Sequence, residues 1–158
     1  MTEDMSILRT PKDWLPLAIP GAEGTSIKIY KADEVKQRVL VGVKFEPGSK
    51  SPRHIHHCTA VAYTVSGTWA YDEGSFEAGD VAYENLGNDH TPWSDEGAEL
   101  FIVFDSPDGR YIENILDDGT VLHMGMPFMK ALEGISLADY AKLDMMSIVE
   151  IWDESTKN

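Results

Sequence analysis

The fold of this chain is decided by residues 47–67, which read PGSKSPRHIHHCTAVAYTVSG. A Pro-Gly turn opens the stretch, a short strand is expected over Arg53–His56, and a second strand begins at Val61. Alternate residues of a strand face the same side, so His54 and His56 should point the same way. That side is either a solvent-exposed polar face or a buried one. A metal ion shared by the two rings is one physical reason to bury them.

Short β-strand patterns continue on both sides of this stretch, each bounded by Gly, Pro, Asn or Asp. The most regular one alternates Val39, Val41, Val43 and Phe45 on one face. Many short strands with turns between them predict an all-β sandwich or barrel. The predicted strands lie at Ser26–Tyr30, Arg38–Glu46, Val61–Ser66, Thr68–Asp72, Val81–Tyr83, Glu99–Phe104, Arg110–Leu116 and Thr120–Met124.

The two ends of the chain have different patterns. Residues 1–24 are interrupted by Pro and Gly and predict an irregular N-terminal arm. Near the C-terminus, Leu137, Tyr140 and Met145 recur at helical spacing, which predicts one helix over residues 137–146. The polar tail, residues 153–158, is expected to fray. The 158 residues therefore predict a single domain, residues 1–158, with a barrel core over about 26–125.

Composition and charge exclude several classes of protein. Hydrophobic residues make up 42% of the chain, and no apolar run is long enough to span a membrane. Lys and Arg number 13 against 27 Asp and Glu, for a net charge of -14, which disfavours nucleic acid and anionic membranes as partners. Cys58 is the single cysteine, so neither an internal disulfide nor a cysteine-based zinc site can form. No secretory signal is visible, and we expect a cytoplasmic protein.

A third histidine completes a pattern that resembles a known family. Gly48 precedes His54 by six positions, and Gly79 precedes His90 by eleven. The two segments, PGSKSPRHIHHCTAVAYTVSG and GDVAYENLGNDHTPWS, resemble the two motifs of the cupin superfamily. The resemblance implies a jelly-roll β-barrel with a metal held inside by His54, His56 and His90.

The sequence departs from the cupin motifs at an informative place. The glutamate of the first motif falls at Ala60 or Val61, neither of which can bind metal, and Asn85 and Ser94 replace the Pro and the final Asn of the second. The chain is similar to the acetylacetone-cleaving diketone dioxygenases and the 2,4'-dihydroxyacetophenone dioxygenases, which place three histidines around a non-haem iron. Residues 104–121 also resemble that family. The resemblance implies Fe(II), with Zn, Ni or Cu possible as isolated; a degenerate site without metal is the alternative.

Three neutral imidazoles would give such a site a particular chemistry. They leave a divalent ion with its full charge, which favours a chelating anion such as an enolised diketone. The expected reaction is oxidative cleavage of a C–C bond next to a carbonyl, with dioxygen and a small carbonyl compound as partners. Tyr63 is the candidate for a substrate-contacting hydroxyl, provided that Val61 occupies the lost glutamate position.

Other residues carry weaker expectations. His57 should point away from His54 and His56, although a fourth ligand is an alternative, and His123 is expected to be a satisfied core or surface residue. Cys58 is expected to be a small buried residue rather than a ligand. Arg53 and Glu84 are interpreted as solvated charges. The alternative is that they hydrogen-bond to groups around the ligands, with the Glu84 carboxylate accepting from a ring nitrogen of a histidine.

Three other functions stay open at this point. A thiol dioxygenase would need a cation for the substrate carboxylate, and Arg53 is the only nearby candidate. A non-catalytic regulatory cupin, similar to the zinc-holding domain of anti-sigma factors, is the second, and an empty structural cupin is the third. A homodimer or homotetramer is expected, because jelly-roll barrels leave sheet edges that pair between chains.

Overall fold

The computed structural model describes residues 5–153. The first four residues of the predicted arm, and the predicted frayed tail after residue 153, lie outside the described residues. The elements, in chain order, are β1 (Leu15–Pro16), β2 (Thr25–Asp33), β3 (Arg38–Phe45), β4 (Ser49–Lys50), β5 (Arg53–His56), β6 (Thr59–Tyr71), β7 (Gly74–Glu77), β8 (Val81–Glu84), β9 (Asp89–His90), β10 (Trp93–Ser94), β11 (Ala98–Asp105), β12 (Ile112–Ile115), β13 (Val121–Met124), α1 (Met126–Leu132), α2 (Leu137–Tyr140), a 3-10 helix (Met145–Ser147) and β14 (Glu150–Trp152).

The strands form two antiparallel sheets, which confirms the all-β prediction. The larger sheet has the order β1-β2-β3-β11-β6-β10-β4, with β7 and β8 also paired to β6. The smaller sheet has the order β14-β13-β12-β5-β9. Strand β11 alternates buried and half-buried residues along its whole length, so Leu100, Ile102 and Phe104 face the core between the sheets.

The arm is more ordered than its Pro and Gly content predicts. Leu15 in β1 pairs with Ile27 in β2 and is 1% exposed. Ile19 and Ala22 are buried as well. The arm therefore adds an edge strand to the larger sheet and contributes apolar side chains to the core.

The C-terminal helix begins at Leu137 as predicted, but its expected extent to residue 146 is wrong. Helix α2 ends at Tyr140, and a separate 3-10 turn follows, capped by the Asp144 carboxylate, which accepts from the backbone N–H of Met146. The apolar spacing misled because Leu137 is 46% exposed, so no continuous buried face runs through this segment. Tyr140 alone is buried in α2, and its hydroxyl donates to the carbonyl of Pro16.

Helix α1, which the sequence pattern did not predict, covers the barrel instead. It carries a proline in its first turn, a position where the missing N–H costs nothing. Phe128, Met129 and Leu132 are all buried, and the helix packs against β2. In residues 5–153 no helix is long and apolar enough to cross a membrane.

Gly67 fixes how β6 meets β11. Its φ is +75°, a region that L side chains rarely adopt, and it lies opposite Ala98 in the ladder. A Cβ at this position would lie 2.0 Å from the carbonyl oxygen of Gly97. The close approach of the two backbones therefore requires glycine.

Gly67→Ala should lower the free energy of unfolding by more than about 3 kcal/mol, because the left-handed conformation and the backbone clash add together. Gly79→Ala is the matched control, since Gly79 also has a positive φ but a Cβ at that position would meet nothing within 4 Å. Its cost should be about 1–2 kcal/mol. Urea unfolding of both variants checks this; equal losses would contradict the account of the β6–β11 contact.

Candidate metal centre

Strand pairing places the three histidines together. His54 on β5 lies directly opposite His90 on β9 in the smaller sheet. His56 follows two residues later on the same face of β5. His56 and His90 are buried and His54 is half-buried, so the expected inward direction of these side chains is what the structure shows.

The three rings converge through their Nε2 atoms. The His54 and His90 Nε2 atoms are 2.8 Å apart, and those of His56 and His90 are 3.2 Å apart. Two ligand nitrogens bound at right angles to one ion, each about 2.1 Å from it, lie about 3 Å apart. The spacing therefore fits three imidazoles that share one metal ion on one face of its coordination sphere, and these three residues form a group that could hold a metal.

The hydrogen bond of the His54 ring leaves its Nε2 available to a cation. The Nδ1 of His54 lies 3.0 Å from the Pro52 carbonyl oxygen, which can only accept, so the proton of His54 is on Nδ1. The Nδ1 of His90 lies 3.2 Å from a Glu84 carboxylate oxygen, but neither atom has a hydrogen-bond partner among the described residues, so this contact does not fix the position of the His90 proton. The Nε2 lone pair of His54 therefore faces Nε2 of His90 at 2.8 Å, a contact that either a proton on His90 Nε2 or a cation shared by the two rings makes favourable.

A proton is not that cation at neutral pH. Burial lowers the pKa of His54 to about 4 and the pKa of His90 to about 3. Burial likewise holds the pKa of His56 well below its usual value. Three neutral, convergent imidazoles are the donor set that divalent transition metals bind.

A carboxylate is present beside the site, but it comes from a different strand from the one the cupin motif specifies. Ala60 on β6 is 1% exposed and faces inward, whereas Val61 is 39% exposed, so Ala60 marks the lost glutamate position. Glu84 on β8 pairs directly with Ala60 and is 3% exposed. The interpretation of Glu84 as a solvated charge is therefore wrong, because its side chain follows the inward alternation of β8.

Glu84 contacts a ligand ring rather than the ligand position itself. Its carboxylate faces Nδ1 of His90 and accepts a hydrogen bond from the Tyr71 hydroxyl. Burial raises the pKa of Glu84 to about 7, against the opposing effect of the Tyr71 hydrogen bond. The Tyr71 ring in turn lies 4.5 Å from the His90 ring. These contacts hold the His90 ring in one orientation.

The histidine group forms part of the wall of a cavity of about 100 Å³ inside the barrel. The walls are mostly aliphatic and aromatic, and they come from both sheets, the arm and helix α1. Polar atoms other than the histidines come from Thr25, Ser51, Glu84 and Asn114. The Thr25 hydroxyl is buried without a hydrogen-bond partner among the described residues.

The expectation that Tyr63 contacts a substrate is wrong. Tyr63 is 46% exposed, between the buried residues Ala62 and Thr64, so it lies on the outer face of the sheet. The error follows from assigning the lost glutamate to Val61, which reverses the side of every β6 residue.

The remaining candidates lie away from the histidine group. Cys58 is 0% exposed, and burial raises the pKa of its thiol to about 12, so it is an inert core residue as expected. Arg53 forms a two-pronged ion pair with Asp89 on the exterior. As interpreted from the sequence, it is a solvated charge.

His57 and His123 are engaged on the other face of the smaller sheet. His57 Nε2 lies 2.9 Å from a Glu113 carboxylate oxygen. His123 Nε2 accepts from the backbone N–H of Tyr111, and its Nδ1 lies 3.1 Å from a Glu150 oxygen. Both ring nitrogens of His123 are therefore used, and it is the satisfied histidine that was expected.

His54→Ala or His90→Ala should leave the fold intact and reduce bound metal from about one ion per chain to near zero, because two imidazoles hold a divalent ion poorly. His57→Ala is the matched control and should keep full stoichiometry. Elemental analysis of protein purified without chelator, with circular dichroism for the fold, checks this. Equal metal content in all three variants would contradict the assignment of His54 and His90 as metal ligands.

The protein from which metal has been removed with a chelator should lose stability as the pH falls from about 6.5 to about 4. Unfolded histidines protonate near pH 6.5, whereas the buried ones stay neutral until about pH 4, so the unfolded state binds more protons in this range. Stability is therefore retained above pH 6.5 and lost below it. The His54→Gln/His90→Gln variant should show a shallower decline in urea unfolding, and identical slopes would argue against buried neutral rings.

Comparison with known proteins identifies the family. A family model described as the ChrR cupin-like domain matches residues 2–107, which include all three histidines. An RmlC-like cupin from Ralstonia eutropha is 27% identical, with 88% of each chain covered and a TM-score of 0.69. No curated protein matches the chain.

Two further solved structures are less than 25% identical and share the fold. An acetylacetone dioxygenase from Acinetobacter johnsonii is 16% identical over 84% of this chain and 92% of that one, with a TM-score of 0.68. A chain of the complex between SigE and the anti-sigma ChrR from Rhodobacter sphaeroides is 19% identical, over 58% of this chain and 48% of that one, with a TM-score of 0.51. The barrel, the three-histidine group and the match over residues 2–107 together show that the chain belongs to the ChrR cupin-like family.

Proposed function

We propose that this cupin is a metal-dependent dioxygenase that cleaves a C–C bond next to a carbonyl of a small diketone or hydroxyketone. The observation that carries the proposal is the convergence of three neutral imidazoles on the wall of an apolar cavity. Fe(II) is the metal we propose, held by His54, His56 and His90. The shared fold with an acetylacetone dioxygenase supports this choice.

The chain contributes binding and orientation to this chemistry. When bound, the metal supplies Lewis acidity toward two substrate oxygens and an electron path to dioxygen. Because Ala60 leaves the ligand set without an acid, the three imidazoles cancel none of the ion's charge, which favours a substrate that ionises to a chelating enolate. The Pro52 carbonyl accepts a hydrogen bond from Nδ1 of His54, so Nε2 of that ring stays available, and the Glu84 carboxylate lies 3.2 Å from Nδ1 of His90.

The cavity indicates a small substrate that enters uncharged. Its walls are largely hydrocarbon, which excludes water and favours apolar substituents. Neither Lys nor Arg is among the described residues that line it, and Arg53 is paired with Asp89 outside. A thiol dioxygenase needs a cation for its substrate carboxylate, and this cavity offers none, so that alternative is disfavoured.

A regulatory metal-binding cupin is the second candidate. It is favoured by the family description and by the shared fold with a chain of the SigE–ChrR complex. Both candidate functions require a bound metal, but only the enzyme consumes dioxygen in the presence of a substrate. Dioxygen consumption by the iron-loaded protein with a diketone supports the enzyme, whereas stoichiometric metal without consumption on any tested ketone supports the regulatory cupin.

Acetylacetone should be consumed faster than the larger 2,4'-dihydroxyacetophenone, by about tenfold or more in kcat/KM. The cavity of about 100 Å³ leaves little room, and the aryl ketone carries a hydroxylated benzene ring in addition to the two oxygens that a metal would bind, so the more compact diketone fits better. A dioxygen electrode with equal concentrations of the two ketones measures this. Preference for the aryl ketone would overturn the proposed substrate size.

Ala60→Glu should bind metal more tightly but consume dioxygen more slowly, because the added carboxylate occupies a ligand position and lowers the charge that binds an enolate. Val61→Glu is the control: Val61 points outward, so metal per chain and uptake should stay at wild-type levels. If the wild type bound no metal and Ala60→Glu bound one ion, the site would be degenerate and the proposed function would fail.

A further inference from the structure

We propose that the Thr25 hydroxyl binds a third oxygen of the substrate, beyond the two oxygens that face the metal centre. The substrate is then an uncharged chelating diketone that carries an ether, carbonyl or hydroxyl oxygen further along its chain. This inference rests on the proposed function, because it assigns another group of the same substrate.

Thr25 faces the cavity with an unpaired hydroxyl. It begins β2 and shares the inner face of the larger sheet with Ile27 and Ile29, and all three residues line the cavity. Thr25 is 2% exposed, and its hydroxyl has no hydrogen-bond partner among the described residues. A buried hydroxyl without a partner destabilises a folded chain, whereas a valine of the same shape does not. The hydroxyl is therefore available to a ligand in the cavity.

Other buried polar side chains in the cavity wall are engaged by the protein. The Asn114 amide donates to the carbonyl oxygen of Leu122. The Glu84 carboxylate accepts a hydrogen bond from the Tyr71 hydroxyl. Thr25 thus carries a buried hydroxyl of the wall that no described protein group engages.

Strand register places Thr25 and Glu84 at opposite ends of the inner face of the larger sheet. Thr25 pairs with Phe45 on β3. Glu84 belongs to a different row, together with Ala60, Phe104 and Val39. Phe45 and Val39 are six residues apart on β3, about 20 Å along the strand. The Glu84 end of the face is the end beside His90.

The segment before β5 connects Thr25 to the other side of the metal centre. A Cβ at Gly24, the neighbour of Thr25, would lie 2.8 Å from the Ser49 Cβ, so the start of β2 contacts the start of β4. Three residues later, Pro52 lines the cavity and its carbonyl oxygen holds the His54 ring. A ligand chain that extends from the metal centre past His54 therefore runs toward Thr25.

The rest of the wall defines the kind of group that Thr25 receives. Neither Lys nor Arg is among the described residues that line the cavity, so the third oxygen is uncharged. A threonine hydroxyl donates to an ether, carbonyl or hydroxyl oxygen. In an otherwise apolar cavity, such a hydrogen bond separates an oxygen from a methylene in the same place, which apolar contact does only weakly.

Equilibrium binding of matched diketones to the zinc-loaded protein tests this inference without turnover, because zinc has no redox chemistry. Three ligands carry a methoxy group on carbon 5, 6 or 7 of a 2,4-diketone chain. Each is compared with the diketone in which a methylene replaces the ether oxygen. For at least one chain length, the wild type should bind the methoxy ligand about tenfold more tightly by titration calorimetry.

Three variants separate recognition by the hydroxyl from a structural role. Thr25→Val keeps the side-chain shape and should abolish the preference, while the urea midpoint of unfolding stays the same or rises. Thr25→Ser keeps the hydroxyl and should keep the preference. Thr64→Val is the matched control, since the Thr64 hydroxyl accepts from the Trp69 indole N–H at 2.8 Å and does not line the cavity. It should lower the midpoint and keep the preference.

A preference present in the wild type and Thr25→Ser but lost in Thr25→Val supports the inference. Equal Kd values within every ligand pair in the wild type overturn it and leave the proposed function standing, because the diketones still bind. A preference that survives in Thr25→Val overturns it too, as does a midpoint that falls as far as in Thr64→Val. If the wild type binds no diketone, the proposed function fails and the inference fails with it.

Discussion

The central constraint on this molecule is that three buried or half-buried imidazoles converge through their Nε2 atoms inside an apolar barrel, with Nε2–Nε2 distances of 2.8 and 3.2 Å. Each ring is placed by ordinary sheet geometry: a cross-strand pair between β5 and β9, and alternation along β5. Burial keeps the rings neutral, and the Pro52 carbonyl oxygen fixes the proton of His54 on Nδ1, away from the other rings. Because the unfolded chain does not hold the three rings together, a metal ion bound by them stabilises the folded state, so fold and metal are linked.

The carboxylate near the site acts through a ring rather than as a ligand. Because Ala60 and Glu84 are cross-strand partners, the acid absent from β6 is present on β8, one strand away. There it reaches Nδ1 of His90 and not the Nε2 atoms where the three rings converge. The chain thus keeps an acid to orient a histidine while leaving the charge of a bound ion undiminished, which is the property that the proposed enolate chemistry uses.

Local patterns predicted the strands and the shared direction of His54 and His56, because alternation and turn residues are properties of neighbouring positions. The inward side of the strand came from the family resemblance alone. Local patterns failed where the pairing of strands distant in sequence decides which residues lie next to the site. The motif spacing allowed either Ala60 or Val61 as the lost acid, and the wrong choice placed Tyr63 inside. The position of Glu84 depends on a ladder between residues 60 and 84, which local patterns do not contain. The prediction of a long helix failed because Leu137 is exposed, and the exposure of a side chain depends on tertiary packing that the spacing of apolar residues does not show.

Anomalous X-ray scattering from a crystal of protein grown with Fe(II) and no chelator tests the central claim most directly. The account predicts a single strong peak per chain, about 2.1 Å from the Nε2 atoms of His54, His56 and His90. A peak beside His57 or His123, or none in a crystal whose three rings still converge, would contradict the claim that these imidazoles are held together to bind a metal.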